Sequence, residues 1–171
     1  MPIEVNKNNT LIITIICIAL VALNLRPSMA SFGPLLTQIT SSIDITYTQI
    51  SLLTMLPVIA IGIGMFFAGK IKSMIGLVPG VFISLALIGL ATGARYFYFD
   101  VTGLIVTAII SGLGIAIIQA LMPAFIKSNF TNTSLLMGFY ATAIMGGATI
   151  SASMSPWLAN KLNSWQLSLA A

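Results

Sequence analysis

The sequence has 171 residues, of which 58% are hydrophobic and only 6% are charged, with a net charge of +4. Charged residues make up about a quarter of an ordinary soluble chain, so this composition excludes a soluble globular domain and predicts an all-α membrane protein. The seven basic residues are scattered, which argues against a nucleic-acid partner. With no histidine and one cysteine, the chain is expected to have no metal site, no cofactor and no enzymatic activity.

The first predicted span, residues 11–39, is apolar except near its middle, where Asn24 and Arg26 precede Pro27. A cation at membrane depth costs about 3 kcal/mol or more, so it normally faces a bundle interior or a water-filled cavity. Proline disfavours helical geometry in Arg26 and removes the backbone donor for the Leu23 carbonyl, so a helix break is predicted at Pro27. Broken helices form solute sites in secondary transporters. We therefore predict that Asn24 and Arg26 bind a solute.

Two other interpretations of this segment remain open. Arg26 could be an interfacial residue that ends a short first span at Leu25, with its guanidinium among the lipid headgroups. Alternatively, Lys7 and residues 11–23 could begin a signal peptide with a cleavage site of small residues at 28–30.

The remaining apolar runs predict four more complete spans and the start of a sixth, because a spanning helix needs about 20 apolar residues. The predicted bounds are 49–69, 74–94, 101–126 and 135–158, and residues 165–171 begin the sixth. Those seven residues reach only about 10 Å into a hydrocarbon layer roughly 30 Å thick. We therefore expect residues 1–171 to form a single, incomplete helical bundle in the lipid bilayer, as a piece of a longer protein.

The basic residues predict the orientation of the chain in the cell membrane. A cytoplasmic N-terminus places four of them inside and two outside, which agrees with the positive-inside rule. The inner four are Lys7, Lys70, Lys72 and Lys127, and the outer two are Arg95 and Lys161.

Small residues spaced four apart predict where the helices touch, since close contact between membrane helices depends on small side chains. The predicted contact stripes are Ala60 with Gly64, Gly112 with Ala116, and Gly138 with Thr142 and Gly146.

Two further polar side chains lie at membrane depth, Gln119 in the fourth span and Tyr140 in the fifth. At 1.5 Å per residue, both are about 8 Å to the cytoplasmic side of the middle of the span. We predict that they converge with Asn24 and Arg26 on one solute-binding cavity. The alternative is that Gln119 and Tyr140 only form interhelical hydrogen bonds.

Several segments resemble the major facilitator superfamily, and more narrowly its cyanate and nitroimidazole permeases. These segments are residues 22–27, 32–36, 53–58, 112–116, 121–127, 137–140 and 165–168. The resemblance implies the N-terminal six-helix bundle of a transporter that works by alternating access, with the C-terminal half as a missing partner. It also implies a small anionic or polar solute, such as cyanate or a nitroimidazole-like compound.

The family pattern further implies a gating loop between the second and third spans, containing Gly69, Lys70, Lys72 and Gly76. Ser73 stands where the superfamily has an acidic residue, so gating by the family's acid–base contact is not expected here. The alternative function is a small multi-pass membrane subunit or assembly protein that does not transport.

Overall fold

The computed structural model describes residues 7–42, 45–97, 100–162 and 164–170. Within these ranges all regular structure is helical, which confirms the all-α class. The helices are α1 (Lys7–Asn24), α2 (Pro27–Ala30), α3 (Phe32–Ser42), α4 (Tyr47–Ile75), α5 (Leu77–Ala94), α6 (Val101–Asn129), α7 (Thr133–Leu162) and α8 (Trp165–Ala170).

Four segments in the described part of the chain are long and apolar enough to cross a membrane. They are Tyr47–Phe67, Leu77–Ala94, Val101–Asn129 and Thr133–Leu162. The first predicted span, residues 11–39, is divided among α1, α2 and α3 instead of forming one helix, and its apolar part Leu11–Asn24 is shorter than a full span. The described part of the chain therefore has four continuous candidate spans, preceded by a shorter apolar helix and the break.

The predicted gating loop is mostly helical, which corrects the sequence prediction. Gly69, Lys70 and Lys72 lie inside α4, where both lysines are exposed. Helix α4 ends only at Gly76, whose φ of 91° lies in a region that glycine occupies without steric cost. The helical pattern continues because residues 69–75 contain no proline and no further glycine to interrupt it.

Helix α6 lies at the centre of the bundle, with α4 and α5 packed directly on it. A Cβ atom on Gly64 would meet the Cβ of Ala116 at 2.5 Å, and one on Gly112 would meet the Pro57 carbonyl oxygen at 2.8 Å. The small residues predicted on α4 and α6 are therefore confirmed as a contact between the two helix backbones.

The third predicted stripe, on α7, is wrong at two of its three positions. Gly138 has open space where a side chain would be, and Thr142 is exposed. Gly146 has ordinary contact with Leu23, whereas its neighbour Gly147 packs against the backbone of Leu23. Helix α7 therefore approaches α1 most closely one position away from the predicted stripe.

Candidate functional site

The chain is interrupted where α1 ends at Asn24 and α2 begins at Pro27. Arg26 keeps a right-handed helical backbone, with φ −106° and ψ −20°, so the predicted displacement of this residue from helical geometry is wrong. Its carbonyl accepts the amide of Ala30 at 2.9 Å, which starts the next helical turn. The interruption therefore consists of missing hydrogen bonds around Pro27, which has no N–H to donate.

Helix α7 packs directly against this interruption. A Cβ atom on Gly147 would overlap the carbonyl oxygen of Leu23, so only glycine allows the two backbones to approach this closely. The carbonyl of Leu23 is the group whose helical donor Pro27 removes.

Serine hydroxyls on both sides of the contact connect α2, α7 and α8. The Pro27 carbonyl accepts the Ser31 hydroxyl at 2.6 Å and the Ser151 hydroxyl at 3.2 Å, and these two hydroxyls lie 2.7 Å apart. The Ser155 hydroxyl donates to the Ser151 carbonyl at 2.6 Å, and the Ser168 hydroxyl donates to the Ser155 carbonyl at 2.8 Å. The Pro27 carbonyl and these four serine hydroxyls are thus hydrogen-bonded, as buried polar groups generally are.

A cavity of about 520 Å³ adjoins the break and is bounded by α1, α2, α5, α7 and α8. Most of its lining is apolar, and the polar side chains are an amide and five hydroxyls. The polar lining residues are Asn24, Ser31, Thr92, Ser151, Ser155 and Ser168. A concave site of this size, with a few polar groups in an apolar wall, has the ordinary form of a small-molecule site.

The first-span residues predicted to bind a solute lie beside this cavity. Asn24 lines it, and its side-chain amide donates to the Leu20 carbonyl at 2.8 Å. Arg26 lies between the lining residues Asn24 and Pro27 in the sequence. Its side chain is half-buried and does not line the cavity. Its Nε atom is buried and has no hydrogen-bond partner in the described part of the chain.

Gln119 and Tyr140 do not line the cavity. They lie nearer the ends of α6 and α7 that the charge distribution predicts to be cytoplasmic. Tyr140 is buried in an apolar cluster that includes Leu25 and Ile118, and its hydroxyl has no partner among the described residues. Gln119 is half-buried. Among the described residues no hydrogen bond joins Gln119 or Tyr140 to Asn24 or Arg26, so convergence of the four stays a prediction.

The hydroxyl residues of the cavity were not predicted from the sequence. Ser151 and Ser155 are four apart and therefore share one face of α7, a pattern that could have indicated a polar stripe in an apolar span. Ser31, Thr92 and Ser168 carry no such signal, because the turn after α2 and the separate helices α5 and α8 bring them to the same cavity.

Arg95 is the second residue that the sequence did not indicate. The sequence predicts only that Arg95 lies outside the third span. In the structure its side chain is fully buried at the end of α5. Its guanidinium donates to the Ser111 hydroxyl at 3.3 Å and lies 4.8 Å from the centre of the Phe32 ring. Burial lowers the pKa of Arg95 to about 10, so the group is still charged at neutral pH. Arg95 therefore links the first residue of α3 to α5 and α6.

Comparison with known proteins identifies relatives of this chain. A sequence profile described as Major Facilitator Superfamily matches residues 11–171. The cyanate transport protein CynX of Escherichia coli is 37% identical over 158 residues, which cover 91% of this chain and 41% of that protein. The 2-nitroimidazole transporter of the same species is 30% identical over 161 residues, which cover 91% of this chain and 39% of that protein.

A third relative, the uncharacterized transporter YycB of Bacillus subtilis, is 26% identical over 164 residues, or 95% of this chain and 40% of that protein. The chain therefore spans about two fifths of the length of these relatives. The resemblance to cyanate and nitroimidazole permeases is confirmed, and it points to a transporter rather than an enzyme.

Proposed function

Because this multi-pass membrane chain belongs to the major facilitator superfamily, we propose that it forms part of a secondary transporter for a small anionic or polar solute. The solute class is supported by two relatives whose names specify cyanate and 2-nitroimidazole. The observation that carries the proposal is the helix break at Arg26 and Pro27, which adjoins a partly polar cavity between five helices. Broken spans of this kind form solute sites in transporters.

Arg26 supplies charge complementarity to the solute in this proposal. Its buried Nε atom has no hydrogen-bond partner among the described residues. A buried polar atom without a partner costs about 1–3 kcal/mol, and an oxygen or nitrogen of a bound solute would remove that cost. Asn24, which lines the cavity beside Arg26, orients the solute.

Gln119 and Tyr140 are proposed as further hydrogen-bonding groups, reached by the solute nearer the cytoplasmic side. The Tyr140 hydroxyl supports this role because it too is buried without a partner in the part of the chain that the structure describes. A path that passes from the cavity to Tyr140 would require the helices to move, as alternating access does.

The transport cycle requires the half of the protein that lies beyond this chain in its longer relatives. We propose that the exposed end of α4, with Gly69, Lys70 and Lys72, and the turn at Gly76 contact that half during gating. The N-terminus is proposed to be cytoplasmic, which places both lysines on the cytoplasmic side.

The proposal is tested by replacing the matching segment of the Escherichia coli cyanate transport protein with this chain and measuring uptake of radiolabelled cyanate and 2-nitroimidazole. Arg26→Leu is expected to lower uptake by roughly 10- to 100-fold, because a hydrogen bond to a charged group contributes about 1.5–3 kcal/mol. Arg26→Lys should retain part of the activity. The control is Lys127→Gln, at an exposed position near the end of α6.

Immunoblots of the membrane fraction establish that all variants are inserted in equal amounts. Undiminished uptake by the Arg26→Leu chimera would refute the proposed role of Arg26.

A further inference from the structure

We propose that Arg95 and Phe32 form a gate that closes the cavity beside the helix break on the side of the α5–α6 connection. With the N-terminus in the cytoplasm, this is the outer side of the membrane. The inference rests on the proposed function, because it assigns a closing contact for alternating access to the same cavity. Arg95 acts on the cavity through the Phe32 ring and is therefore a positioning residue, not a part of the solute site.

A buried apolar cluster closes this end of the bundle. It combines residues from the last turns of α3 and α7, from the first two turns of α4 and α6, and from α8. Among them are Ile39, Ala159, Leu53, Leu104 and Trp165. Leu169 belongs to this cluster and also lines the cavity, so the two adjoin each other. Because burying an unpaired polar group is costly, a polar solute passes such a cluster only when it opens.

Phe32 is the member of this cluster that Arg95 contacts. Phe32 begins α3 and directly follows Ser31, which lines the cavity. Arg95 comes one turn after Thr92, which lines the cavity from α5. The guanidinium carbon of Arg95 lies 4.8 Å from the centre of the Phe32 ring. The contact therefore joins two walls of the cavity just beyond its lining.

Helix α6 holds the guanidinium in place. Arg95 donates to the Ser111 hydroxyl at 3.3 Å, and that hydroxyl donates its own proton to the Ala108 carbonyl at 3.0 Å. Helix α6 is the most deeply buried of the four candidate spans. Arg95 is thus fixed to the centre of the bundle, and we assign the movement that opens the gate to the other side of the contact.

Helix α3 is the segment that moves in this proposal. It is joined to α1 through the break at Pro27 and through a second interruption at Ser31. Residues at the ends of helices are common hinges. Gln38 of α3 donates to Asn160 of α7 at 3.0 Å, but this bond lies at the exposed surface, where water replaces it. Rotation of α3 would carry Phe32 away from Arg95 and open the apolar cluster.

An arginine suits a contact that both opens and closes. In the closed state the Phe32 ring and the Ser111 hydroxyl stabilise its charge. In the open state, water that enters along the moved α3 hydrates the same guanidinium. An apolar side chain at position 95 would instead lose its burial on opening, which would favour the closed state alone.

The test measures access to the cavity from each side of the membrane. Ser155→Cys places a thiol at a buried lining position of the chimera, in a Cys17→Ser background because Cys17 is exposed. Its rate of reaction with a charged, membrane-impermeant methanethiosulfonate reagent is measured in right-side-out and inside-out vesicles. The rate of the chimera without Ser155→Cys is subtracted. Since the thiol reacts only in the open state, its rate follows the population of that state.

Phe32→Leu removes the ring but keeps an apolar side chain and leaves the net charge unchanged. It should raise the rate in right-side-out vesicles about 10-fold, the factor that a buried cation–π contact contributes to an equilibrium. The rate in inside-out vesicles should not rise. Phe32→Tyr keeps the ring and should retain the original rate. Ser111→Ala removes the acceptor on α6 and should raise the outer rate roughly threefold.

Trp157→Leu is the matched control. It removes a ring at the same 4.8 Å from a cation, the Lys161 ammonium, but at an exposed position that does not line the cavity. Because an exposed cation–π contact is weak, the rate should change by less than about twofold. Immunoblots establish equal insertion of all variants.

Two results would overturn the gate. One is an unchanged outer rate in both Phe32→Leu and Ser111→Ala, and the other is an equal rise from both sides, which would indicate general loosening of the bundle. Uptake by the chimera separates this failure from failure of the proposed function. Arg26-dependent uptake with unchanged access would keep the transporter and refute the gate, whereas Phe32-dependent access without uptake of any solute would support the gate and refute transport.

Discussion

Helices α4 and α6 meet along a seam of small residues, whereas the broken first span meets α7 through backbone carbonyls and hydroxyls. In the seam, Gly64 lies against Ala116, and Gly112 lies against Pro57 and Ala60. At the break, the Leu23 carbonyl lies against Gly147, and the Pro27 carbonyl accepts Ser31 and Ser151. The same bundle therefore uses two different kinds of contact.

The difference follows from hydrogen bonding within each helix. A continuous helix satisfies the hydrogen bonds of its own backbone. Because lipid is as apolar as the neighbouring side chains, such a helix associates with others through the close fit of their surfaces. A broken helix exposes carbonyls that must find donors outside it. Polar side chains are therefore concentrated next to the break, which is also where the cavity lies.

The largest expected effect comes from Arg95, which joins the two regions through Phe32 and Ser111. Arg95→Ala should lower the free energy of unfolding by about 4 kcal/mol, because it removes a buried cation–π contact and a charge-assisted hydrogen bond. Lys161→Ala is the matched control. Its ammonium lies at the same 4.8 Å from the Trp157 ring, but both side chains are exposed, so the loss should stay below about 1 kcal/mol.

Reversible unfolding in mixed micelles, with increasing denaturing detergent, measures both values. Similar losses in the free energy of unfolding for Arg95→Ala and Lys161→Ala would show that burial does not strengthen the contact between Arg95 and the Phe32 ring.

Gly147 tests the close approach of α7 to the break. Gly147→Ala should destabilise the chain by about 1–3 kcal/mol, because a methyl group there overlaps the Leu23 backbone. Gly138→Ala has open space on the same helix and should be neutral or stabilising by up to about 1 kcal/mol, since alanine favours helix. Detergent unfolding of the two variants checks the prediction, and a neutral Gly147→Ala would mean that the two helices are further apart.

The smallest effect is expected from a single hydroxyl. Ser151→Ala removes one hydrogen bond to the Pro27 carbonyl and should lower stability by about 1 kcal/mol, while Ser31 continues to donate to that carbonyl. Ser134→Ala, at an exposed position on α7, should change stability by less than about 0.5 kcal/mol. A larger loss of stability for Ser151→Ala than for Gly147→Ala would contradict this prediction, because hydrogen bonding would then contribute more than close packing at the break.

Prolines show where the sequence was sufficient and where it was not. Pro27 and Pro57 both lie in apolar runs, yet Pro27 begins a new helix while Pro57 lies inside an uninterrupted α4. The break at Pro27 was predicted from the geometry of proline, which by itself applies equally to Pro57. The extension of α4 through Lys70 and Lys72 was not predicted, because the apolar run ends before these two charged residues although the helix continues through them.

The sequence by itself determined the helical membrane class, the break in the first span and the seam between α4 and α6. Each depends on composition or on neighbours within one or two turns, where covalent geometry and helical spacing decide the outcome. Only the tertiary structure decided that hydroxyls from α5, α7, α8 and the turn after α2 surround one cavity and that Arg95 is buried between three helices. Such groupings depend on the orientation and packing of separate helices, which the spacing of residues along the sequence does not determine.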